Sequence, residues 1–253
     1  MEVISLSEWD EVATRRIRIR RQGGPNRVQT WRDGNADEKF AEILLHEASG
    51  KQLVLDVGSG EGRMARRVCD VAHNVVGVDI SAVAVNEAMS SRAHGTSFLQ
   101  SDAAHLPFSD ETFDLAYSRR GFIEQSRAAL TEVGRVMRRG GVLLGIANGE
   151  FHRREVRLIF GRGQIWPADG TALEAIRDNL QKTGLDVRGI DEYLARNCFT
   201  DIDSFVDQLE MTPAIPDFDR HRDVALIQEA ARQLSTPRGI EDTEHAVVFI
   251  ATK

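Results

Sequence analysis

The run Val54-Leu55-Asp56-Val57-Gly58-Ser59-Gly60-Glu61-Gly62 constrains the fold more than any other stretch of the chain. Leu53 to Leu55 reads as a short buried strand. Glycines at 58, 60 and 62 close it, and an apolar pattern of helical spacing (Met64, Ala65, Val68) follows. Strand, glycine turn and helix in this order form the opening unit of a nucleotide-binding α/β domain. The glycines let the turn reach positive φ, and they let the backbone approach a ligand with the amides of the helix N-terminus directed at it. A dinucleotide fingerprint needs Gly-x-Gly-x-x-Gly. Here Arg63 stands where the last glycine belongs, and Asp56 precedes the first.

With 253 residues, 42% hydrophobic and 28% charged, one α/β domain with insertions is expected. A net charge of −7 counts against nucleic acid as the default partner. The run Arg15-Arg16-Ile17-Arg18-Ile19-Arg20-Arg21 runs against that balance: it is either a solvated basic face or a contact to an anionic substrate or RNA. Cys69 and Cys198 lack metal-ligand spacing and read as reduced thiols, and no metal site is expected. With neither a signal-type apolar core nor a window of membrane-spanning length, no membrane role and a cytoplasmic location are expected.

Ser7, with Asp10 three residues on, reads as the cap of a first helix, and Asn35 with Glu38 as the start of a second ending at Gly50. His73 to Asp79 reads as a second strand whose terminal acid lies about 20 residues beyond the first glycine, where a ribose carboxylate is expected. Ser81 caps the following helix, Thr96 to Gln100 is a third strand and Phe113 to Tyr117 a fourth. Ser126 to Arg139 reads as a helix stopped by Gly140-Gly141, and Val142 to Ala147 as a fifth strand. The stretch from 148 to 170 is charge-rich and contains His152, Arg153, Arg154 and Trp166. Leu185 to Tyr193 and His245 to Thr252 suit the last two strands.

The glycine motif, Asp79-Ile80-Ser81, Asp102-Ala103, the run from Leu106-Pro107-Phe108 to Phe113-Asp114 and the Arg139-Gly140-Gly141 passage together resemble class I S-adenosylmethionine-dependent methyltransferases. The resemblance covers Gln52 to Ala147 with specific motifs and the remainder only in outline. It implies a doubly wound α/β sheet of seven strands in the order 3-2-1-4-5-7-6. The last strand would be antiparallel, with helices on both faces, an N-terminal helical cap and a helical insertion before the last strand. Residues 1–253 would form one domain: a cap at 1–50, a cofactor-binding core at 51–147, and a C-terminal half at 148–253 with lid material at about 200–241. It further implies S-adenosyl-L-methionine as cofactor, with S-adenosyl-L-homocysteine as product. The expected contacts are Asp56, Gly58, Ser59, Gly60 and Gly62 from the glycine turn, Asp79 and Ile80 at the ribose, Asp102 and Ala103 at the adenine, and Ser118 beside the methionine moiety. The reaction would be an in-line methyl transfer to an O, N or C acceptor on a small molecule.

Ser118-Arg119-Arg120-Gly121 departs from the Asn-Pro-Pro-aromatic run of exocyclic-amine methylating enzymes. These arginines either suit an anionic substrate or pair with acidic residues at the rim. Phe205, Val206, Leu209, Met211, Ile215 and Phe218 either line a substrate cavity or pack the insertion. Glu124, His105 and His152 each follow a strand, but no spacing singles one out as a general base, and the catalytic residue is left unnamed. RNA as acceptor, through the basic N-terminal segment, and a non-catalytic binding protein are the alternatives. Arg63 and the Asp102 to Asp114 run count against a nicotinamide oxidoreductase.

Overall fold

A computed structural model of the chain describes residues 5–163 and 171–253. In chain order these form α1 (Leu6–Arg21), β1 (Arg27–Trp31), α2 (Ala36–Ala48), β2 (Val54–Val57), α3 (Arg63–Val68), β3 (Val75–Asp79), α4 (Ala82–Ser90) and β4 (Thr96–Gln100). They continue with β5 (Phe113–Arg119), a 3-10 turn at Ile123–Gln125, α5 (Arg127–Val136), β6 (Met137–Asn148), α6 (Arg154–Phe160), α7 (Ala172–Lys182), β7 (Asp186–Phe199), α8 (Ile202–Glu210), α9 (Val224–Leu234), β8 (Ser235–Thr236) and β9 (Gly239–Thr252). Trp166 lies outside the described residues.

The strands form a nine-stranded sheet in the order β1-β7-β9-β6-β5-β2-β3-β4, with β8 on β9. β2 runs parallel to β3 and β5, β3 to β4, and β5 to β6. β9 is antiparallel to β6 and β8, and β1 to β7. The expected seven-strand order is therefore corrected: β1 adds an edge beyond β7, and β8 adds a short hairpin arm. Residues 27–31, assigned to a helical cap from sequence, pair with Phe199–Ala195 instead. Their alternating burial and the β-branched or aromatic Val28, Thr30 and Trp31 suit a pleated edge better than a helix.

The chain divides into two compact units. The larger comprises Asn35–Gly149, Gly170–Glu192 and Ala246–Lys253. Its parallel strands are buried on both faces, so β2 carries no polar alternation and all four of its residues are inside. Phe40 and Leu44 of α2 and Leu130 and Val133 of α5 are fully buried in the same core. Each such side chain contributes about 1.5–3 kcal/mol by burial. Asn35 caps α2 by accepting from the Asp37 and Glu38 amides. α5 ends at Val136, earlier than its charge pattern implies. Met137 pairs with Phe113 in the sheet instead of extending the helix, and Gly140, at φ +73°, takes the bend inside β6.

The smaller unit comprises Met1–Gly34, Glu150–Asp169 and Tyr193–His245. Ser5, rather than Ser7, caps α1. Its hydroxyl accepts from the Glu8 amide, and Glu8 reaches back to the Ser5 amide at 2.6 Å. Two overlapping Ser-x-x-acid boxes compete here, and the longer glutamate closes the loop better than Asp10 does. Arg15 donates to the Phe218 carbonyl and Arg18 pairs with Glu210 at 2.8 Å, so these two members of the basic run hold α1 to its own unit. Phe205, Val206, Leu209, Ile215 and Phe218 are buried in one apolar cluster with Val156, Phe160 and Phe199, which is the packing reading of that stripe.

Candidate active site

β2, β3, β4 and β5 run parallel, so their carboxyl ends share one edge of the sheet. Chain order reverses at β2, with β3 to one side and β5 to the other. That is the switch point at which α/β sheets bind ligands. The glycine turn sits there. Gly58 has φ +75°, and a Cβ on it would lie 2.9 Å from the Gly121 Cα, so the turns after β2 and β5 approach backbone to backbone. Gly62, at φ +70°, caps α3, and a Cβ there would overlap the Phe98 ring.

Asp79, at the end of β3, accepts from the Gly60 amide at 2.7 Å and from the Ser81 amide at 2.9 Å. The acid thus joins the glycine turn to the start of α4. Ser81 caps that helix by accepting from the Ala84 amide. Ser59 Oγ is buried and makes no hydrogen bond. Ile80 is half-buried, and its carbonyl accepts from Gln100. Asp102 is exposed after β4, accepts from the Ala104 amide at 2.9 Å and lies 3.6 Å from His105 Nδ1; Ala103 beside it is half-buried. The loop carrying Leu106 and Phe108 is clamped to α5: Arg135 donates to both carbonyls, and Glu132 accepts from the Leu106 amide. Arg135 holds the Glu132 carboxyl down to about 2.

Asp56 and Ser118 point into the sheet rather than toward solvent, each 2% exposed. Ser118 Oγ donates to the Val57 carbonyl and Asp56 accepts from the Tyr117 hydroxyl at 2.8 Å. Burial pushes the Asp56 carboxyl up to about 7, against the Tyr117 hydrogen bond and the field of Arg119, while Asp79 adds to the rise. Burial and then the Asp56 charge raise the Tyr117 hydroxyl.

Among the three groups considered as bases, Glu124 is buried in the 3-10 turn after β5 and is pushed up to about 7 by burial. His105 is 85% exposed. His152 belongs to the other unit, 3.3 Å from Glu244. Two residues that the motifs did not mark stand at the rim of β5. Asp37, the second residue of α2, lies 2.8 Å from Arg119 and 3.6 Å from Arg120, and Asn148 accepts from Arg120 at 2.5 Å. The acidic-partner reading of those arginines is realised, through a residue whose separation of 82 positions gave no local signal.

The methyltransferase domain family matches residues 55–145, the glycine turn through β6. Over that stretch the chain is similar to the methyltransferase domain family. Over 107 residues the chain is 36% identical to the malonyl-[acyl-carrier protein] O-methyltransferase of Salmonella typhimurium, which spans 41% of this chain and 42% of that relative. The chain spans between 18% and 57% of the length of other curated relatives it matches. In fold, the chain is similar to a putative methyltransferase of Bacillus halodurans, with TM-score 0.64 and 17% identity over 85% of this chain and 99% of that one. It is likewise similar to the [4+2]-cyclase SpnF, with TM-score 0.63 and 22% identity over 98% of this chain and 94% of that one. The fold is thus shared with a protein named for a different reaction, so the fold does not fix the chemistry. Among the described residues, no helix is long and apolar enough to cross a membrane.

Proposed function

We propose that this chain is an S-adenosylmethionine-dependent methyltransferase acting on a small-molecule acceptor. The observation that carries the reading is the Asp79 carboxylate, hydrogen-bonded to the Gly60 amide at the switch point of a methyltransferase domain. The residues present fit the cofactor. Ser59 Oγ is a buried hydroxyl without a partner, on the turn that Asp79 holds through the Gly60 amide. When bound, the cofactor supplies an activated methyl group on a sulfonium.

In this reading Asp79 accepts from the vicinal ribose hydroxyls, with Ile80 beside it. Asp102 accepts from the adenine amino group, and the Ala103 amide donates to a ring nitrogen. Gly58, Ser59, Gly60 and Gly62 carry the backbone along the amino-acid portion. Asp56 and Ser118 act from beneath, bracing the turn through Tyr117 and the Val57 carbonyl. The chain's main contribution is then alignment of acceptor and methyl group, with a base required only where the acceptor must lose a proton. The domain proposed for this activity is 1–253, with 51–147 as its cofactor-binding core. The net charge of −7 supports a small-molecule acceptor over a nucleic acid. Arg15 and Arg18, two members of the Arg15 to Arg21 run that would favour RNA, are engaged within their own unit.

Asp79→Ala removes a charge-assisted acceptor worth about 1.5–3 kcal/mol. Calorimetric titration with S-adenosylhomocysteine is expected to show binding weakened by about tenfold or more, with the variant still folded by its urea midpoint. Unchanged affinity in a folded variant would remove Asp79 from the site.

A further inference from the structure

The charge-rich stretch after β6 forms one side of a cavity of about 370 Å³, within the range that small ligands occupy. Its lining residues Phe151, Arg154, Glu155, Leu158, Leu194 and Thr243 all belong to the smaller unit. Leu158 stands three positions from Glu155 and four from Arg154 on α6, so the three share one face of the helix. Leu158 is 71% exposed and Phe151 40%, although both are large and apolar. Phe151 is held in place: its ring stacks on His245 with centroids 5.3 Å apart, and its amide donates to His245 Nδ1 at 3.2 Å.

The two charged residues of the lining are balanced differently. Glu155 pairs with Arg196 at 2.9 Å and accepts from the Thr243 hydroxyl. Arg154 forms no ion pair among the described residues; its guanidinium lies 5.9 Å from the Phe151 ring centroid. A second cation is near it. Burial and then the charge of Arg154 push the Arg157 guanidinium down, with Glu155 opposing them. An apolar wall beside a cation that no carboxylate balances fits a ligand with an apolar body and an anionic end. The anion gains from Arg154 directly and offsets the repulsion between the two arginines.

We propose that this cavity binds a small amphipathic carboxylate, with its anionic end on Arg154 and its apolar body against Phe151, Leu158 and Leu194. A guanidinium meets a carboxylate with two parallel donors, which fixes the head group. Each methylene group laid against the exposed apolar side chains removes surface from water and adds to the affinity. An anionic membrane surface offers the same pairing of charge and hydrocarbon. The concave lining favours a free ligand over a flat surface, and the experiment separates the two. The site stands independently of the methyltransferase reading.

Octanoate, with octanol as its uncharged counterpart and hexanoate as the shorter acid, is titrated by calorimetry into the full chain below the onset of micelles. The proteins are wild type, Arg154→Gln, Arg154→Lys and Leu158→Ser, each verified as folded by its urea midpoint. Wild type is expected to bind octanoate saturably, and hexanoate about tenfold more weakly for the loss of two methylene groups. Arg154→Gln is expected to weaken octanoate at least about tenfold while octanol affinity stays within about twofold. Arg154→Lys keeps the charge without the fork and is expected to fall between wild type and Arg154→Gln. Leu158→Ser is expected to weaken octanoate and octanol alike, by about threefold or more. Octanoate affinity indifferent to Arg154→Gln or to chain length would overturn the proposal, as would a wild type with no saturable binding. Vesicles containing phosphatidylglycerol form the last arm. A wild type that binds them through Arg154 and Leu158 but takes no free octanoate would make the patch a membrane contact and overturn the carboxylate site.

Discussion

Arg153→Met is expected to destabilise the protein by about 3–5 kcal/mol, the largest effect of any single change considered. Arg153 is 1% exposed and Asp242 is wholly buried, with 3.2 Å between Arg153 Nη1 and Asp242 Oδ2. Asn197 donates to the other Asp242 oxygen at 2.6 Å. Burial raises the Asp242 carboxyl from its usual value, and Arg153 is the first group that opposes the rise. Removing the cation leaves that carboxylate without its counter-charge in a dry interior. The same change leaves the backbone problem at residue 153, φ +51°, as it was, because both residues carry a Cβ. Asp242→Asn alone strands the arginine in turn. The double variant Arg153→Met/Asp242→Asn removes both charges and is expected to lose less stability than the two single variants together, by at least about 1 kcal/mol. Urea denaturation with unchanged slope is the measurement. Additive losses, or a single-variant loss below about 1 kcal/mol, would show that the pair is not coupled.

Asp56→Asn is expected to stabilise the protein at and above neutral pH. The folded carboxyl sits at about 7 against 3.8 for the ordinary group, so the folded state holds its proton over a range where the unfolded chain has released it. Stability is then fully present below the unfolded value and is lost as pH rises toward 7, by roughly 4 kcal/mol in total. Glu124, raised to about 7 from 4.5, contributes a second loss of the same sign. Asparagine cannot ionise, and its amide oxygen still accepts from the Tyr117 hydroxyl. The advantage of the variant over wild type should therefore grow from pH 4 to pH 7 and then level. A constant difference across that range, or one that shrinks with pH, would contradict the burial of Asp56 as the cause. Where Asp56 braces the glycine turn, the gain in stability is expected to come with weaker cofactor binding.

Local chemistry made the glycine-turn edge of the sheet legible. The glycines at 58, 60 and 62 and the cap at Ser81 act through neighbours in sequence, and Asp79 ends the strand that follows at a set spacing from Gly60; all lie with Asp102 and Ser118 at the carboxyl ends of β2 to β5. Three features were not legible, each for a physical reason. Residues 27–31 pair with a strand whose partner positions begin at residue 195, and nothing local distinguishes a five-residue edge from a loop. Met137 leaves its helix because Phe113 offers it a place in the sheet, a tertiary gain that outweighs helix propensity. The turn at Arg120 that unites two arginines on Asp37 depends on backbone strain, which composition does not record. The apolar stripe of α8 had two readings of equal periodicity, and only the packed cluster around Phe205 separates them.

Calorimetric titration of the wild-type chain with S-adenosylmethionine and S-adenosylhomocysteine, with NAD as the contrasting nucleotide, tests the central claim most directly. Arg63 in the place of the third dinucleotide glycine, and Asp79 hydrogen-bonded to the Gly60 amide, lead to micromolar binding of both sulfur nucleosides and none of NAD. Binding of NAD in preference, or of neither class of ligand, would contradict the account.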